Sequence, residues 1–451
     1  MRFSDGLLVI IRRQATHESP AMQFSRFGQK FTRQSGILQL MDDLGRALSE
    51  GKPVNMLGGG NPAHIPAVQQ AFADTLRQIA DNGAAIESLA NYSTPQGDAR
   101  LIAALAAYFR RQYGWDIGEE NIALTNGSQN AFFYLFNLFG GPFDDNNDKS
   151  ILLPFAPEYI GYADAHIDAP RFISVPPQIE HTQYQGQDGF FKYRVDFPAL
   201  ENLPELQNGQ IGAICCSRPT NPSGNVLTDD EMARLDALAR AHHIPLIIDN
   251  AYGLPFPDII HVPARLTWHD NIILCFSLSK TGLPGVRTGI VVAAPEVIRA
   301  IGSLNAITNL APTRFGAAIA APLIESGKLQ QLSADEIQPF YQKQADLAVS
   351  ILKKHFSGNL KERLLIHQPE GAIFLWLNFP GLPVPAQTLY QRLKARGTLI
   401  IPGEPFFIGF DTADYPHARE CIRISIAQNE ATLEQGIAAI AEEVKRAFAE
   451  A

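Results

Sequence analysis

The sequence predicts an α/β fold: a largely parallel sheet covered by helices, followed by a smaller α+β unit. Three observations carry this. Short apolar, β-branched runs alternate with helical patterns from residue 121 to residue 294, and such alternation gives parallel strands with helices on their faces. Thr228 stands three residues ahead of Glu231, the spacing of a capping box in which two side chains satisfy the first free amides of a helix. Near residue 340 the alternation gives way to one long helical pattern, isolated strands and a closing helix.

Taken in chain order, residues 1–21 read as a disordered extension and residues 22–75 as a segment that joins the smaller unit. Residues 76–335 form the large domain. Its strands are expected at 121–125, 151–155, 211–217, 245–249, 272–277 and 289–293, with helices at 128–139 and 228–243. Residues 336–451 form the small domain, with a long helix at 341–356, strands near 372–377, 399–401 and 422–426, and a final helix. No internal repeat or low-complexity tract breaks this order.

With 451 residues, 46% of them hydrophobic and 18% charged, the chain can bury a large core. The 46 acidic residues exceed the 37 basic ones, for a net charge of −9. That balance opposes nucleic acid or an anionic membrane as partner and favours small molecules. Cys215, Cys216, Cys275 and Cys421 show no repeated CxxC spacing, so neither a disulfide framework nor a zinc site is expected, and a cytoplasmic location fits. The apolar run at 7–11 is too short to span a bilayer and lacks the flanks of a signal peptide. Asp144-Asp-Asn146-Asn-Asp148 imitates the start of a calcium loop, but Lys149 stands where that loop has glycine and Phe155 where it has its last acid. No metal is expected.

Ligands of open α/β sheets sit beyond the carboxyl ends of the strands. After 121–125 comes Asn126-Gly127-Ser128-Gln129, opening a helix whose free amides and dipole favour an anion. After 211–217 comes Arg218-Pro-Thr-Asn221-Pro-Ser-Gly, after 245–248 comes Asp249-Asn-Ala-Tyr252, and after 272–276 comes Ser277-Leu-Ser-Lys280, with Arg287 seven residues on. Each piece alone reads as a cap, a turn or a snorkelling lysine. Together they offer an anion cradle, an amide, a carboxylate with a phenol, and an amine. Pyridoxal 5'-phosphate asks for that combination: an amine for its aldehyde, a carboxylate to keep its ring nitrogen protonated, donors to its 3'-oxygen and a phosphate cradle.

With Ser-x-Ser-Lys280, Gly-x-Arg287-x-Gly, Asn221-Pro222 and Asp249-x-x-Tyr252 in hand, the chain resembles the fold-type I, class I/II aminotransferases from near residue 50 to near residue 430. The resemblance implies a mostly parallel seven-stranded sheet in the large, cofactor-binding domain. It makes Lys280 the lysine that binds the cofactor aldehyde and then moves the substrate proton. Asp249 would pair with the ring nitrogen, and Asn221 and Tyr252 would donate to the 3'-oxygen. Gly127, Ser128, Gln129, Ser277 and Arg287 would hold the phosphate, and Tyr159 would stack on the ring. Arg423, Gly60 and Asn221 match the residues that grip the substrate carboxylate. Tyr92 matches a tyrosine that reaches the neighbouring subunit's phosphate, so a homodimer follows. The interval from the lysine to the arginine is seven here whereas many members have eight, so a tighter loop is expected.

A narrower resemblance, to the valine-pyruvate aminotransferases (alanine-valine transaminases), rests on Phe27-Gly-Gln-Lys-Phe-Thr-Arg-Gln-Ser-Gly-Ile37, on Gly58-Gly-Gly-Asn-Pro-Ala-His-Ile-Pro66 and on the short lysine-arginine loop. It implies a ping-pong exchange of L-valine and pyruvate for 3-methyl-2-oxobutanoate and L-alanine, with amino acids and 2-oxo acids as the small-molecule partners and Ile37 in a weakly polar pocket. A pyridoxal-dependent lyase acting at a β-substituted amino acid would share every cofactor residue. An aminotransferase-like regulator would need a basic helix-turn-helix domain, which the first 50 residues are too short and too weakly basic to supply.

Overall fold

The computed structural model describes residues 23–32, 54–144 and 147–451. The expected extension at 1–21 and Ile37 lie outside these residues.

Seven strands form the main sheet in the order Ile122–Thr125, Gly289–Val292, Ile272–Ser277, Leu246–Asp249, Ile211–Ser217, Asp148–Leu153 and Phe172–Ser174, and a two-residue segment, Gly141–Pro142, adds an antiparallel eighth. Only Gly289–Val292 runs against its neighbours among the seven. Every residue of the four central strands from Ile211–Ser217 to Gly289–Val292 is buried, as expected where helices cover both faces of a parallel sheet. Alternation divides them between two cores. Cys275, Ile273, Ile247 and Val291 face the helix Ser128–Phe139 with its Phe132 and Phe136. Leu274, Phe276, Ile248 and Ile290 face the opposite side, where Phe276 stacks on Phe109 with ring centroids 5.7 Å apart. Deleting a ring buried like Phe276 costs about 3–5 kcal/mol through the cavity it leaves.

Helix boundaries follow the sequence signals. Ser128–Phe139 spans its expected residues, and the Thr228 and Glu231 side chains form the capping box that opens Asp229–Ala241.

A second, six-stranded sheet runs Ile401–Pro402, Cys421–Ser425, Phe374–Asn378, Leu365–His367, Gln187–Arg194 and Gln178–Tyr184. Its last two strands are a hairpin that the sequence reading left inside 76–335. Phe190 and Phe191 instead pair with Ile366 and His367 of the C-terminal part. The outer strand, with five of its seven residues exposed, carries no apolar run to announce it. Its turn, Gln185-Gly186 with φ of 50° and 74°, was the available signal. The strand expected at 399–401 divides, because Thr398–Leu399 pairs with Asn55–Met56 whereas Ile401–Pro402 pairs with Cys421–Ser425. The first pairing is a separate two-stranded sheet that ties the N-terminal segment to the C-terminal part of the chain.

Register sets the site. Ser217 and Cys275 both lie level with Asp249, and Gly289 lies level with both Ser277 and Thr125. The segments after Thr125, Ser217, Asp249 and Ser277 therefore emerge on one edge. Gly289 is the tightest point there: a Cβ on it would fall 2.6 Å from Gly127 C and Ser128 N. Gly289→Ala is expected to cost about 1–3 kcal/mol of stability by overpacking, read by denaturant unfolding; an unchanged midpoint would contradict this packing.

Candidate active site

A cavity of ≈ 210 Å³ opens at this edge, and Lys280, Asp249, Asn221, Tyr252, Arg423 and Arg287 all line it. Gly60, Ser128, Gln129, Tyr159 and Ser277 line it as well. Of the expected residues, Gly127 lies just behind the wall and Tyr92 lies outside, with 79% of its surface exposed.

Lys280 sits in a short 3₁₀ turn directly after the Ile272–Ser277 strand, with Ser277 Oγ accepting from Ser279 N at 3.2 Å to cap that turn. Its Nζ donates to Gly60 O at 2.7 Å and lies 5.4 Å from the centre of the Tyr252 ring. Burial lowers the amine to a pKa of about 8; the Arg423 charge pushes the same way, the Asp249 carboxylate opposes, and Arg287 adds to the lowering. Asp249 is the buried counterpart. Burial raises its carboxyl to about 6, against the pull of the hydrogen bonds it accepts from Tyr162 Oη at 2.7 Å and Ala251 N at 3.0 Å.

One side of the cavity is built from the start of the helix Ser128–Phe139, whose N-cap, Gly127, has φ 88° and no side chain to satisfy the first amides. A Cβ at Gly127 would collide with Arg287, 2.1 Å from its Nη2. The guanidinium thus lies against the helix start, where two positive features converge. The seven-residue interval closes because Pro284–Val286 makes a tight 3₁₀ turn and Arg287 itself takes φ 50°. Arg287 Nη1 donates to Ser279 Oγ at 3.3 Å.

Arg423 also lines the cavity, on the Cys421–Ser425 strand, with 4% of its surface exposed. It stacks 3.9 Å from the centre of Phe374 and donates to two neutral acceptors, Asn221 Oδ1 at 2.8 Å and Gly58 O at 2.9 Å. Its Nε is buried without a hydrogen-bond partner among the described residues. Burial lowers its pKa to about 10. No carboxylate pairs with it among the described residues. The bond from Arg423 orients the Asn221 amide so that Nδ2 is the end left over. Gly60, expected near a substrate carboxylate, lines the same cavity as Arg423, and its carbonyl accepts from Lys280.

This layout has counterparts. The family model for aminotransferase class I and II matches residues 54–440. The chain belongs to that family. This aminotransferase is 49% identical to a valine–pyruvate aminotransferase of Escherichia coli K12 over 95% of its own length and 100% of that protein's. It superimposes with TM-score 0.93 on a putative amino-acid aminotransferase of Psychrobacter arcticum, at 59% identity over 95% of this chain and 100% of that one. A valine-pyruvate aminotransferase of Salmonella typhimurium gives TM-score 0.83 and 48% identity over 92% and 100% of the two chains.

Pyridoxal 5'-phosphate is the cofactor of this aminotransferase, and its residues fit the group. The uncapped helix start beside Arg287 suits a phosphate, and the depressed amine of Lys280 suits an aldehyde. Sequence reasoning passed over Tyr162, which donates to Asp249, and Glu158, which lies behind Tyr159. Nothing in the local sequence distinguishes either. Ser279 stood visible inside Ser-x-Ser-Lys280.

A neutral amine is the reactive form, so uptake of pyridoxal phosphate by the cofactor-free protein is expected to speed up as pH rises through about 8 and then level off. Stopped-flow absorbance checks this. An inflection near the ordinary lysine value of 10.5 would contradict the burial of the amine.

Proposed function

We propose that this aminotransferase moves the amino group of L-valine to pyruvate, giving 3-methyl-2-oxobutanoate and L-alanine. The observation that carries the proposal is a buried guanidinium, Arg423, with no acidic partner among the described residues, in the same cavity as the buried amine of Lys280. A planar fork of donors at the wall of an enclosed site suits a substrate carboxylate, to which it can bind through two parallel hydrogen bonds. The names of the Escherichia coli and Salmonella typhimurium proteins support valine and pyruvate as the pair.

When bound, pyridoxal 5'-phosphate supplies an aldehyde for amines and an electron sink for the charge left at the α-carbon. The chain's residues do the rest. Gly127, Ser128, Gln129, Ser277 and Arg287 would hold the phosphate. Asp249, kept ionised above a pH of about 6, would hold the proton on the ring nitrogen, and the Tyr162 hydroxyl fixes its rotamer. Asn221 Nδ2 and Tyr252 Oη would donate to the 3'-oxygen, and Tyr159 would wall one face of the ring. Lys280 Nζ takes the α-proton of the amino acid and serves as the base in both halves of the reaction. Arg423, already desolvated, binds the carboxylate of each substrate in turn, so donor and acceptor share one subsite.

The same reading makes the enzyme a homodimer with Tyr92 entering the neighbouring site. Support comes from an exposed apolar surface formed by Ile86, Leu89, Tyr92, Ile307 and Leu310, whose two segments are joined by a hydrogen bond from Ser93 Oγ to Pro312 O at 3.1 Å. Apolar area of that kind is what a subunit contact covers. No helix among the described residues is long and apolar enough to cross a membrane; a cytoplasmic location is part of the proposal.

A screen of amino donors against pyruvate, with alanine as readout, tests the reaction. Valine is expected among the best donors, with alanine formed in step with 3-methyl-2-oxobutanoate. Release of ammonia in place of alanine would overturn transfer in favour of elimination.

A further inference from the structure

Glu158 has 2% of its surface exposed and does not itself line the cavity. Its carboxylate nevertheless accepts three hydrogen bonds from residues that do: Ser217 N at 2.8 Å, Ser217 Oγ at 2.5 Å and Tyr159 N at 3.1 Å. Its own amide donates to Phe406 O at 2.9 Å, and the Phe406 ring lies 5.4 Å from the Arg423 guanidinium. No basic side chain pairs with Glu158 among the described residues. Burial pushes its carboxyl up to about 7, and the nearby Asp249 acts the same way. A carboxylate held without a cation is a costly way to fill space. What it secures is a joint between the tyrosine wall and the end of the Ile211–Ser217 strand, which the main-chain amide of the same residue ties to the loop over Arg423.

We propose that Glu158 is a positioning residue of this active site, pinning Tyr159 and Ser217 to one another and to the Phe406 side of the Arg423 pocket. Its carboxylate acts on the site through Tyr159 and Ser217, both of which line the cavity, while its main-chain amide holds the Phe406 side in place. The inference rests on the cofactor and carboxylate sites proposed above.

Glu158→Gln keeps the volume and the acceptor for Ser217 N but puts an amide donor where the Tyr159 amide needs an acceptor. In the cofactor-free variant, thermal unfolding is expected near the wild-type temperature, while the Kd for pyridoxal phosphate, measured by fluorescence titration, rises by about tenfold. In the loaded variant, the KM values for valine and pyruvate rise by more than kcat falls. Wild-type Kd and KM values in E158Q would overturn the proposal, as would a lowered unfolding temperature with both values unmoved in the folded protein. Ser217→Ala, which removes only the hydroxyl donor, reads the same quantities should E158Q fail to fold, with the same shifts expected in smaller measure and unmoved values again counting against it. A wild-type protein that takes up no pyridoxal phosphate would count against the proposed function instead, an outcome distinct from an E158Q protein that behaves as wild type.

Discussion

The arrangement depends on keeping the amine of Lys280 out of water beside two guanidinium groups. An exposed lysine is almost wholly protonated at neutral pH. Burial, Arg423 and Arg287 bring this one to about 8, against the pull of the Asp249 carboxylate. Each of these groups hangs on a different element: Arg423 on the second sheet, Arg287 on the turn after the lysine, and Asp249 on the adjacent parallel strand. The register that levels Cys275 with Asp249 and Ser277 with Gly289 is therefore what sets the reactivity of a single nitrogen.

Arg423 shows how the two sheets are made interdependent. Its strand is fully buried, and a cation there is tolerable only because Asn221 and the Gly58 carbonyl take two of its donors and Phe374 takes its face. Asn221 belongs to the loop after Ile211–Ser217, and Gly58 to the N-terminal segment, whose Leu57 carbonyl accepts from Ser425 N of the second sheet at 2.7 Å. A carboxylate subsite formed this way exists only when main sheet, second sheet and N-terminal segment are all in place. The remaining Nε, buried and unpaired among the described residues, is the kind of unmet donor that a ligand relieves.

The strand ends were legible because each buried run stops at a residue that cannot continue it: Gly127, the Asn221-Pro222 turn, Asp249, and the polar Ser277 to Lys280 stretch. Runs buried on both faces read as unbroken apolar stretches, so the four central strands came through close to their observed limits, whereas the strand expected at 151–155 is Asp148–Leu153 and the short Phe172–Ser174 strand, too brief to make such a run, was not foreseen. Arg423 did not. In Cys-Ile-Arg-Ile-Ser the alternation alone argues for a solvent-facing side chain, and only family resemblance marked it; the second sheet buries that face as well. The hairpin Gln178–Tyr184 and Gln187–Arg194 escaped because its outer strand is polar and its pairing partner lies more than 170 residues downstream. Tyr162 and Glu158 act through contacts with Asp249 and Ser217, far along the chain, for which periodicity holds no sign.

Borohydride reduction of the pyridoxal-loaded protein, followed by peptide mapping, tests most directly whether the buried amine is the reactive one. The account predicts loss of the visible chromophore and a stable pyridoxyl label on the peptide containing Lys280. A label on any other lysine, or a cofactor-saturated protein with no chromophore to reduce, would contradict it.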